Sequence, residues 1–438
     1  PVGYASIAQT LTIRGLDKVV GPVCAYNSFN IISYFATALV MFAFLLYLLK
    51  SRWVALLGGY AVSFTPYIQS KIGGHPSYGY AALLIGVFWV TLHIIKRRQY
   101  RYGFILASLL ALCAYFDPYF ILLSVTVMMP TIFAWFITVF YSYIKHRSKT
   151  THFTPTLKVF IVALAAFIVL ISPLIYVRIN DASSINASTG PTRANVAATA
   201  ALCSNKPLDY LMPDPYNMHL MSWFGLGYTK ANIEHRNWCG PGESRVSISL
   251  AAIVTIVVAS TTYLFRRRYY ASKPAIPNFS AVLLILTEYL LGLTPEIRGV
   301  ITPSGIVIKL TETWRIFARE YLVLNAFVII LFSIAFVYLI SLLRARWKKS
   351  IPFIFGIIWT IIIAEYQIFT PFSPFNFTYS RDVPQIYRDI KVNKDIKALA
   401  EYPIDRMGVE SDVIVYYTTM QYVHKKPIVN SALINDPR

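Results

Sequence analysis

Long apolar segments recur along this chain, and basic residues are concentrated in every second connection between them. A run of about 20 apolar residues can cross the hydrocarbon core of a bilayer. Connections rich in Lys and Arg face the cytoplasm. The pattern therefore predicts both the spans and their orientation. The basic connections contain Lys50 and Arg52; Lys96, Arg97, Arg98 and Arg101; Lys145, Arg147 and Lys149; Arg266, Arg267, Arg268 and Lys273; and Arg344, Arg346, Lys348 and Lys349.

The composition favours a membrane protein over a soluble one. Of the 438 residues, 56% are hydrophobic and 14% are charged, whereas a soluble domain carries roughly 25% charged residues. A net charge of +20 would suggest nucleic-acid binding in a soluble protein. Here much of the excess lies in the predicted cytoplasmic connections, where it meets anionic lipid headgroups. We expect membrane lipids as partners, and no nucleic acid.

We predict an all-α polytopic membrane protein with about ten transmembrane helices, a large extracytoplasmic loop and a small α/β extracytoplasmic C-terminal segment. Asp117-Pro118 splits one long apolar stretch into two spans, because proline disfavours helix in the residue before it. The expected spans are about 28–49, 53–69, 79–95, 103–116, 119–143, 157–178, 247–265, 280–294, 321–343 and 352–369. The domains are an extracytoplasmic segment, 1–27; helices 1–6, 28–178; the large loop, 179–246; helices 7–10 with a re-entrant element at 295–320, 247–369; and the soluble tail, 370–438.

Both ends of the chain indicate a longer protein. The chain starts at Pro1, and its opening segment lacks the basic start and apolar core of a signal peptide. The tail stops at Arg438 within a segment that still looks folded, with a helix expected over Val383–Ala400 and a strand over Val413–Tyr417. We therefore expect an N-terminally truncated chain with an incomplete tail.

Four residues near the predicted extracytoplasmic surface are the first candidates for function. Asp117 lies between two spans, where an ionisable group is a functional candidate or a helix cap. His75 follows two glycines that allow close approach of a ligand, and it either binds phosphate, shuttles a proton or is structural. Arg315 and Arg319 are spaced i, i+4, so on a helix both would face a phosphate group. Snorkelling, or pairing with nearby Glu side chains, is the alternative.

The large loop and the eighth span supply further candidates. Asp209 and Asp214 could position an acceptor or a metal, or be solvated loop charges. Glu288 either lines a polar cavity or pairs with Arg298. Of the four cysteines, Cys203 and Cys239 share the loop and are candidates for an extracytoplasmic disulfide, for which Cys24 competes; Cys113 lies in a span.

The layout and several short motifs resemble the GT-C superfamily of integral membrane glycosyltransferases, especially the bacterial branch that includes YfhO-like proteins. The motifs cover most of the chain, and each is a few residues long. They are Gly21-Pro22-Val23-Cys24-Ala25-Tyr26-Asn27, Gly73-Gly74-His75, Asp209-Tyr210-Leu211-Met212-Pro213, Arg315 with Arg319, and Lys426-Pro427-Ile428-Val429-Asn430.

This resemblance implies a plasma-membrane hexosyl or pentosyl transferase. It would move a sugar from a polyprenyl-phosphate donor to an extracytoplasmic glycan, lipid or protein acceptor. Arg315 and Arg319 would bind the donor phosphate, His75 would be catalytic, and Asp209 and Asp214 would lie in the acceptor loop. Asp117 is also expected to be catalytic, because it is an ionisable group between two spans. The main catalytic acid is expected upstream of Pro1. The sequence shows no metal-ligand set, and a divalent cofactor, Mg²⁺ or Mn²⁺, is left open.

Two other classes of protein remain as alternatives. A secondary transporter or lipid translocase commonly has inverted repeats and broken helices. The sequence shows no such duplication, and the large loop with its soluble tail suits an enzyme better. The third alternative is an assembly or anchoring subunit without catalysis.

The predicted orientation can be tested by cysteine labelling of intact cells. In a Cys24→Ser background, a membrane-impermeant thiol reagent should label Gly190→Cys and should not label Lys145→Cys, because position 145 lies in a basic connection. The chain without an added cysteine is the control. Labelling of position 145 with protection of position 190 would reverse the assignment.

Overall fold

The structure is a computed structural model that describes most of the helical part of the chain. The described residues are 7–71, 76–146, 153–185, 198–201, 203–207, 209–210, 246, 248–266, 275–310, 316–344, 351–363, 385–397, 399 and 426. The chain divides into two compact units. The first, here called the helical unit, is Pro1–Arg178 with Arg193–Thr370, and the second is Ile179–Thr192 with Pro371–Arg438. The loop expected over 179–246 stays a prediction.

Nearly all described elements are helical. In chain order they are α1 (Ile7–Val20), α2 (Pro22–Leu49), α3 (Arg52–Ser63), α4 (Pro66–Lys71), a 3₁₀ turn (Pro76–Tyr80), α5 (Ala82–Arg97), α6 (Tyr100–Phe116), α7 (Pro118–His146), α8 (Phe153–Ile185), α9 (Leu250–Arg266), α10 (Ala275–Gly292), β1 (Glu296–Ile297), β2 (Val300–Ile301), α11 (Pro303–Leu310), a second 3₁₀ turn (Phe317–Glu320), α12 (Tyr321–Arg344), α13 (Ile351–Ile363) and α14 (Gln385–Val392).

The chain is an all-α protein of the multi-pass membrane class. Among the described residues, five helices are long and apolar enough to cross a membrane, and three more are apolar but shorter. The five are Cys24–Leu49, Ser77–Arg97, Pro118–Tyr141, Phe153–Tyr176 and Phe317–Leu342, and the shorter three are Tyr100–Phe116, Leu250–Thr262 and Ser280–Gly292. The orientation of these helices and the total of ten spans stay predictions.

Several predicted boundaries can be compared with the structure. The break at Asp117-Pro118 is confirmed, since α6 ends at Phe116 and α7 begins at Pro118. The predicted second span is divided instead, because the helix stops at Ser63 and resumes at Pro66. Proline lacks a backbone donor and fits the first turn of a new helix. The expected tail helix, Val383–Ala400, is shorter, at Gln385–Val392, and the expected strand, Val413–Tyr417, lies outside the described residues.

The segment predicted as a re-entrant element has a more specific local structure. An antiparallel two-residue hairpin, β1–β2, is followed by the eight-residue helix α11. Arg298 and Gly299 form the turn, both with positive φ. The start of the hairpin packs so closely against α11 that a Cβ added at Gly305 would clash with the carbonyl oxygen of Pro295.

Helix α12 is the central helix of the helical unit. In its most apolar stretch 67% of the residues are buried, whereas only 17% are buried in the corresponding stretch of α8. α12 packs against α3, α9 and α10, and α10 also packs against α7. α12 also contacts α5, where Phe88 packs edge-on against Phe327 with ring centroids 4.8 Å apart. Side chains such as Phe35, Phe133 and Val169 are exposed on other helices, as expected where lipid covers the surface.

The 3₁₀ turn before α5 is fixed to α2 by side-chain hydrogen bonds. The Thr37 hydroxyl donates to the carbonyl oxygen of Gly79 at 2.6 Å, and it accepts from the Ala82 backbone N–H at 3.0 Å. Gly79 is required here, because a Cβ would overlap the Ser33 side chain of α2. This anchor holds Ser77 and Tyr78 in place, and both belong to the site described next.

Candidate functional site

Asp117 joins α6, α7 and the 3₁₀ turn at one end of the helical unit, here called the Asp117 end. Its Oδ1 accepts a hydrogen bond from the Tyr119 backbone N–H at 2.9 Å, so it caps the start of α7. Its Oδ2 accepts from the Ser77 hydroxyl at 3.3 Å. The residue is 8% exposed. The capping role expected from the sequence is therefore real, and the second oxygen faces the turn that carries Tyr78.

Arg319 lies at the same end, stacked against aromatic rings. Its guanidinium carbon is 4.2 Å from the ring centroid of Tyr119 and 5.1 Å from that of Tyr78. The side chain is 5% exposed, so it does not snorkel to the surface. Stacking uses the faces of the guanidinium group, whereas its N–H donors point outward in its plane, a geometry that suits phosphate or carboxylate oxygens.

Lys71, at the end of α4, is a second buried cation in this cluster. Its Nζ is 4.9 Å from the ring centroid of Tyr67 and 5.9 Å from that of Tyr78. The residue is 4% exposed. Tyr78 thus has a cation near its ring from α4 and another from the turn before α12. Lys71 and Arg319 thus share Tyr78, which follows Ser77, the residue that donates to Asp117, and two cations in one cluster suit an anionic ligand.

The Tyr119 hydroxyl is a further polar group in the cluster. It is buried, and it makes no hydrogen bond to any residue that the structure describes. Buried hydroxyl groups usually have a partner, because leaving one unpaired costs about 1–3 kcal/mol. A ligand beside Arg319 would lie next to this hydroxyl.

A segment after α8 closes over the ends of α10 and α12. The Asn205 N–H donates to the Gly292 carbonyl at 2.9 Å, and the Ala318 N–H donates to the Cys203 carbonyl at 3.0 Å. The Tyr210 ring is fully buried against Tyr289. Burial raises the pKa of the Tyr210 phenol well above its usual range, helped by the charges of Glu320 and Asp209, while the hydrogen bond from Asn205 opposes this shift. Tyr210 therefore stays protonated.

Asp209 has a local structural role in this segment. Its Oδ2 accepts from the Lys206 N–H at 2.7 Å, and its own N–H donates to the Lys206 carbonyl at 3.0 Å. These bonds form a tight turn of the kind that Asp favours. Cys203 is disulfide-bonded, whereas Cys24 and Cys113 are free thiols. Cys239 lies outside the described residues.

Glu288 is buried in α10 beside a second acid. It is fully buried, and its carboxyl group interacts with the side chains of Glu320 and Thr126. Arg298 is instead exposed in the β1–β2 turn. The alternative in which Glu288 pairs with Arg298 is therefore wrong. Glu288 is instead buried beside polar side chains.

Several sequence candidates fall outside the described residues, namely His75, Arg315 and Asp214. The helical spacing proposed for Arg315 and Arg319 does not hold, because Ile316 has φ −117° and ψ 81° and the helical turn begins only at Phe317. Among the described residues, no cluster of three or more His, Cys, Asp or Glu side chains could hold a metal ion. Mg²⁺ or Mn²⁺ thus stays an expectation.

Neither Lys71 nor Glu320 was predicted from the sequence to belong to the site. The signal for Lys71 was present, since a Lys in a predicted extracytoplasmic connection departs from the usual charge bias. Nothing in the sequence placed Glu320 beside Glu288, because that contact joins distant parts of the chain. The same holds for the Tyr78 and Tyr119 rings that flank Arg319.

Comparison with models of known protein families gives no match, and comparison with curated proteins gives none either. The site is therefore interpreted from its own geometry.

The capping role of Asp117 predicts a specific pair of stability changes. Asp117→Ala should lower the free energy of unfolding by about 1 kcal/mol, because the Tyr119 N–H loses its partner. Asp117→Asn should have a smaller effect, because the Asn side chain also caps helices well. The measurement is the thermal unfolding midpoint in detergent. Equal losses for the two variants would show that the cap is not what Asp117 contributes.

Proposed function

We propose that this chain is a membrane glycosyltransferase of the GT-C type, which moves a sugar from a polyprenyl-phosphate donor to an extracytoplasmic acceptor. The observation that carries the proposal is the placement of Asp117 in one buried cluster with Arg319 and Lys71. A carboxylate and two cations are the groups that transfer from a lipid phosphate requires. Their place at the ends of apolar helices suits a donor whose lipid chain lies in the membrane.

The chemistry assigns one role to each kind of group. Asp117 would accept the proton of the acceptor hydroxyl through Oδ2, the oxygen that faces Ser77. The acceptor oxygen would form a bond to the anomeric carbon of the sugar. The bond between that carbon and the phosphate oxygen would break, and its electron pair would leave with the polyprenyl phosphate.

The cations would act on the leaving group. Arg319 and Lys71 are held by aromatic faces, so their positive ends are already oriented before a ligand arrives. Groups fixed in this way stabilise developing negative charge without reorganisation during the reaction. The buried Tyr119 hydroxyl would donate to a phosphate oxygen.

A secondary transporter is the second candidate, and one observation favours it. Glu288 is a fully buried acid in the apolar helix α10. Acids within membrane helices often belong to proton relays in transporters. The enzyme is preferred because Asp117, Arg319 and Lys71 lie at helix ends, where they can meet a headgroup, and not along a path through the unit.

The phosphate role predicts which substrate parameter changes in a transfer assay. In the purified protein, Arg319→Gln and Lys71→Gln should each raise the KM for a radiolabelled polyprenyl-phosphate sugar. Loss of one charged hydrogen bond, about 1.5–3 kcal/mol, corresponds to roughly a 10- to 100-fold change. Arg298→Gln is the matched control, because it removes an exposed arginine from the β1–β2 turn. If no lipid-linked donor supports transfer, and the protein moves solute in proteoliposomes, the transporter replaces the enzyme.

The base role predicts a different change for Asp117→Asn. This variant keeps the helix cap but cannot take up a proton, so kcat should fall by about 100-fold or more. The donor KM should stay close to the wild-type value. An unchanged kcat, in protein whose unfolding midpoint is also unchanged, would remove Asp117 from the mechanism and leave that role to another acid.

A further inference from the structure

A row of stacked side chains lies at the end of the helical unit that is opposite to the Asp117 end. Asp117 directly follows α6, so Tyr100, the first residue of this 17-residue helix, is roughly 25 Å away from it. There the imidazole of His93 lies nearly parallel to the Tyr102 ring, with centroids 5.0 Å apart and an interplanar angle of 7°. The Tyr47 ring is 5.2 Å from the same imidazole. The row therefore joins α2, α5 and α6 close to one end of each helix.

Exposed cations border this row of rings. The Nζ of Lys50 is 5.2 Å from the Tyr47 ring centroid, and the guanidinium carbon of Arg101 is 4.9 Å from the Tyr102 ring centroid. Arg97 lies four residues after the imidazole in α5, so its side chain begins on the same face of the helix. All three cations are exposed. The ends of three helices thus bring positive charge to one group of rings.

These cations have no counter-ion in their own part of the chain. Between Asp17 and Asp117 the sequence contains no Asp or Glu. The buried Nε of Arg98 also makes no hydrogen bond to a residue that the structure describes. This end therefore has an excess of donors and of positive charge, which an anion from outside the chain would balance. The basic residues concerned are Lys50, Arg52, Lys96, Arg97, Arg98 and Arg101.

The exposed aromatic residues at this end favour a lipid headgroup as the source of that anion. Trp53, in the first turn of α3, is 69% exposed, and Tyr100 is 52% exposed. Trp and Tyr are concentrated where the apolar core of a bilayer meets the headgroups. Because the cations lie at the same helix ends, they are at the level of the lipid phosphate groups.

We propose that this end of the helical unit binds the phosphate group of an anionic lipid through Lys50, Arg97 and Arg101. The rings hold two of these cations in place, and Arg101 also donates to the Tyr102 hydroxyl at 3.2 Å. A guanidinium group has five N–H donors, so others are available to phosphate oxygens. The site differs from general attraction between basic connections and membranes, because the rings fix where the charges lie. It is remote from the Asp117 end, and it does not depend on the proposed function.

The test is the apparent Kd of the first bound lipid, measured by native mass spectrometry of the purified full chain in detergent. Phosphatidylglycerol, which is anionic, should bind roughly 10-fold or more tightly than zwitterionic phosphatidylcholine. Equal affinity for the two lipids overturns the proposal, whether or not any variant folds. Soluble glycerol phosphate should bind far more weakly than phosphatidylglycerol. If it binds as tightly, and Arg101→Gln abolishes that binding, the site takes a soluble anion and the lipid assignment is wrong.

Variants separate a defined site from general attraction between charges. Lys50→Gln and Arg101→Gln should each weaken the binding of phosphatidylglycerol by roughly 5-fold, whereas Lys145→Gln, which removes one charge from another basic connection, should not.

The ring provides a test that leaves every charge in place. Tyr102→Leu should also weaken binding, because it removes the ring that stacks on His93 and contacts Arg101, and Tyr102→Phe should retain most of the affinity. Wild-type affinity in Tyr102→Leu, together with equal losses in Arg101→Gln and Lys145→Gln, would reduce the effect to general attraction and overturn the proposal. The measurement needs no sugar donor, so its failure is distinguishable from failure of the transfer assay.

Discussion

The arrangement at the Asp117 end depends on the burial of a guanidinium group among apolar helices. Removing a cation from water costs several kcal/mol, and a desolvated aromatic face returns about 2 kcal/mol of this. Arg319 has two such faces, from Tyr119 and Tyr78. Each ring is held in place by a different hydrogen bond. Asp117 caps the turn that carries Tyr119, and the Thr37–Gly79 hydrogen bond fixes the turn that carries Tyr78.

This dependence links the helix packing to the chemistry of the site. α12 is the most buried of the membrane-spanning helices, and Arg319 lies immediately before its first residue. Any shift of α12 would therefore move the cation relative to the rings on α7 and on the turn before α5. The rigid core thus sets the geometry of the cations, which is the condition for preorganised electrostatic stabilisation.

The sequence predicted local features well and long-range contacts poorly. Apolar runs located the helices, and Asp117-Pro118 marked a break that the structure confirms, because proline acts on its immediate neighbours. The helical spacing of Arg315 and Arg319 failed for the same local reason, since the backbone at Ile316 is not helical. The approach of Lys71 to Tyr78 and of Glu288 to Glu320 could not be predicted, because each contact depends on how separate helices pack.

The position of each charged group along its helix separates those at helix ends from the one inside a helix. Lys71 ends α4, Asp117 separates α6 from α7, and Arg319 precedes α12. At such helix ends, backbone polar groups also need partners, so a polar ligand is accommodated at low cost. Glu288 lies one turn inside α10, fully buried and enclosed by α7 and the turn before α12. A side chain buried in this way does not face the helix ends where a headgroup would lie. Glu288 therefore lies apart from the cluster of Asp117, Arg319 and Lys71, even though the adjacent residues Arg319 and Glu320 connect the two positions.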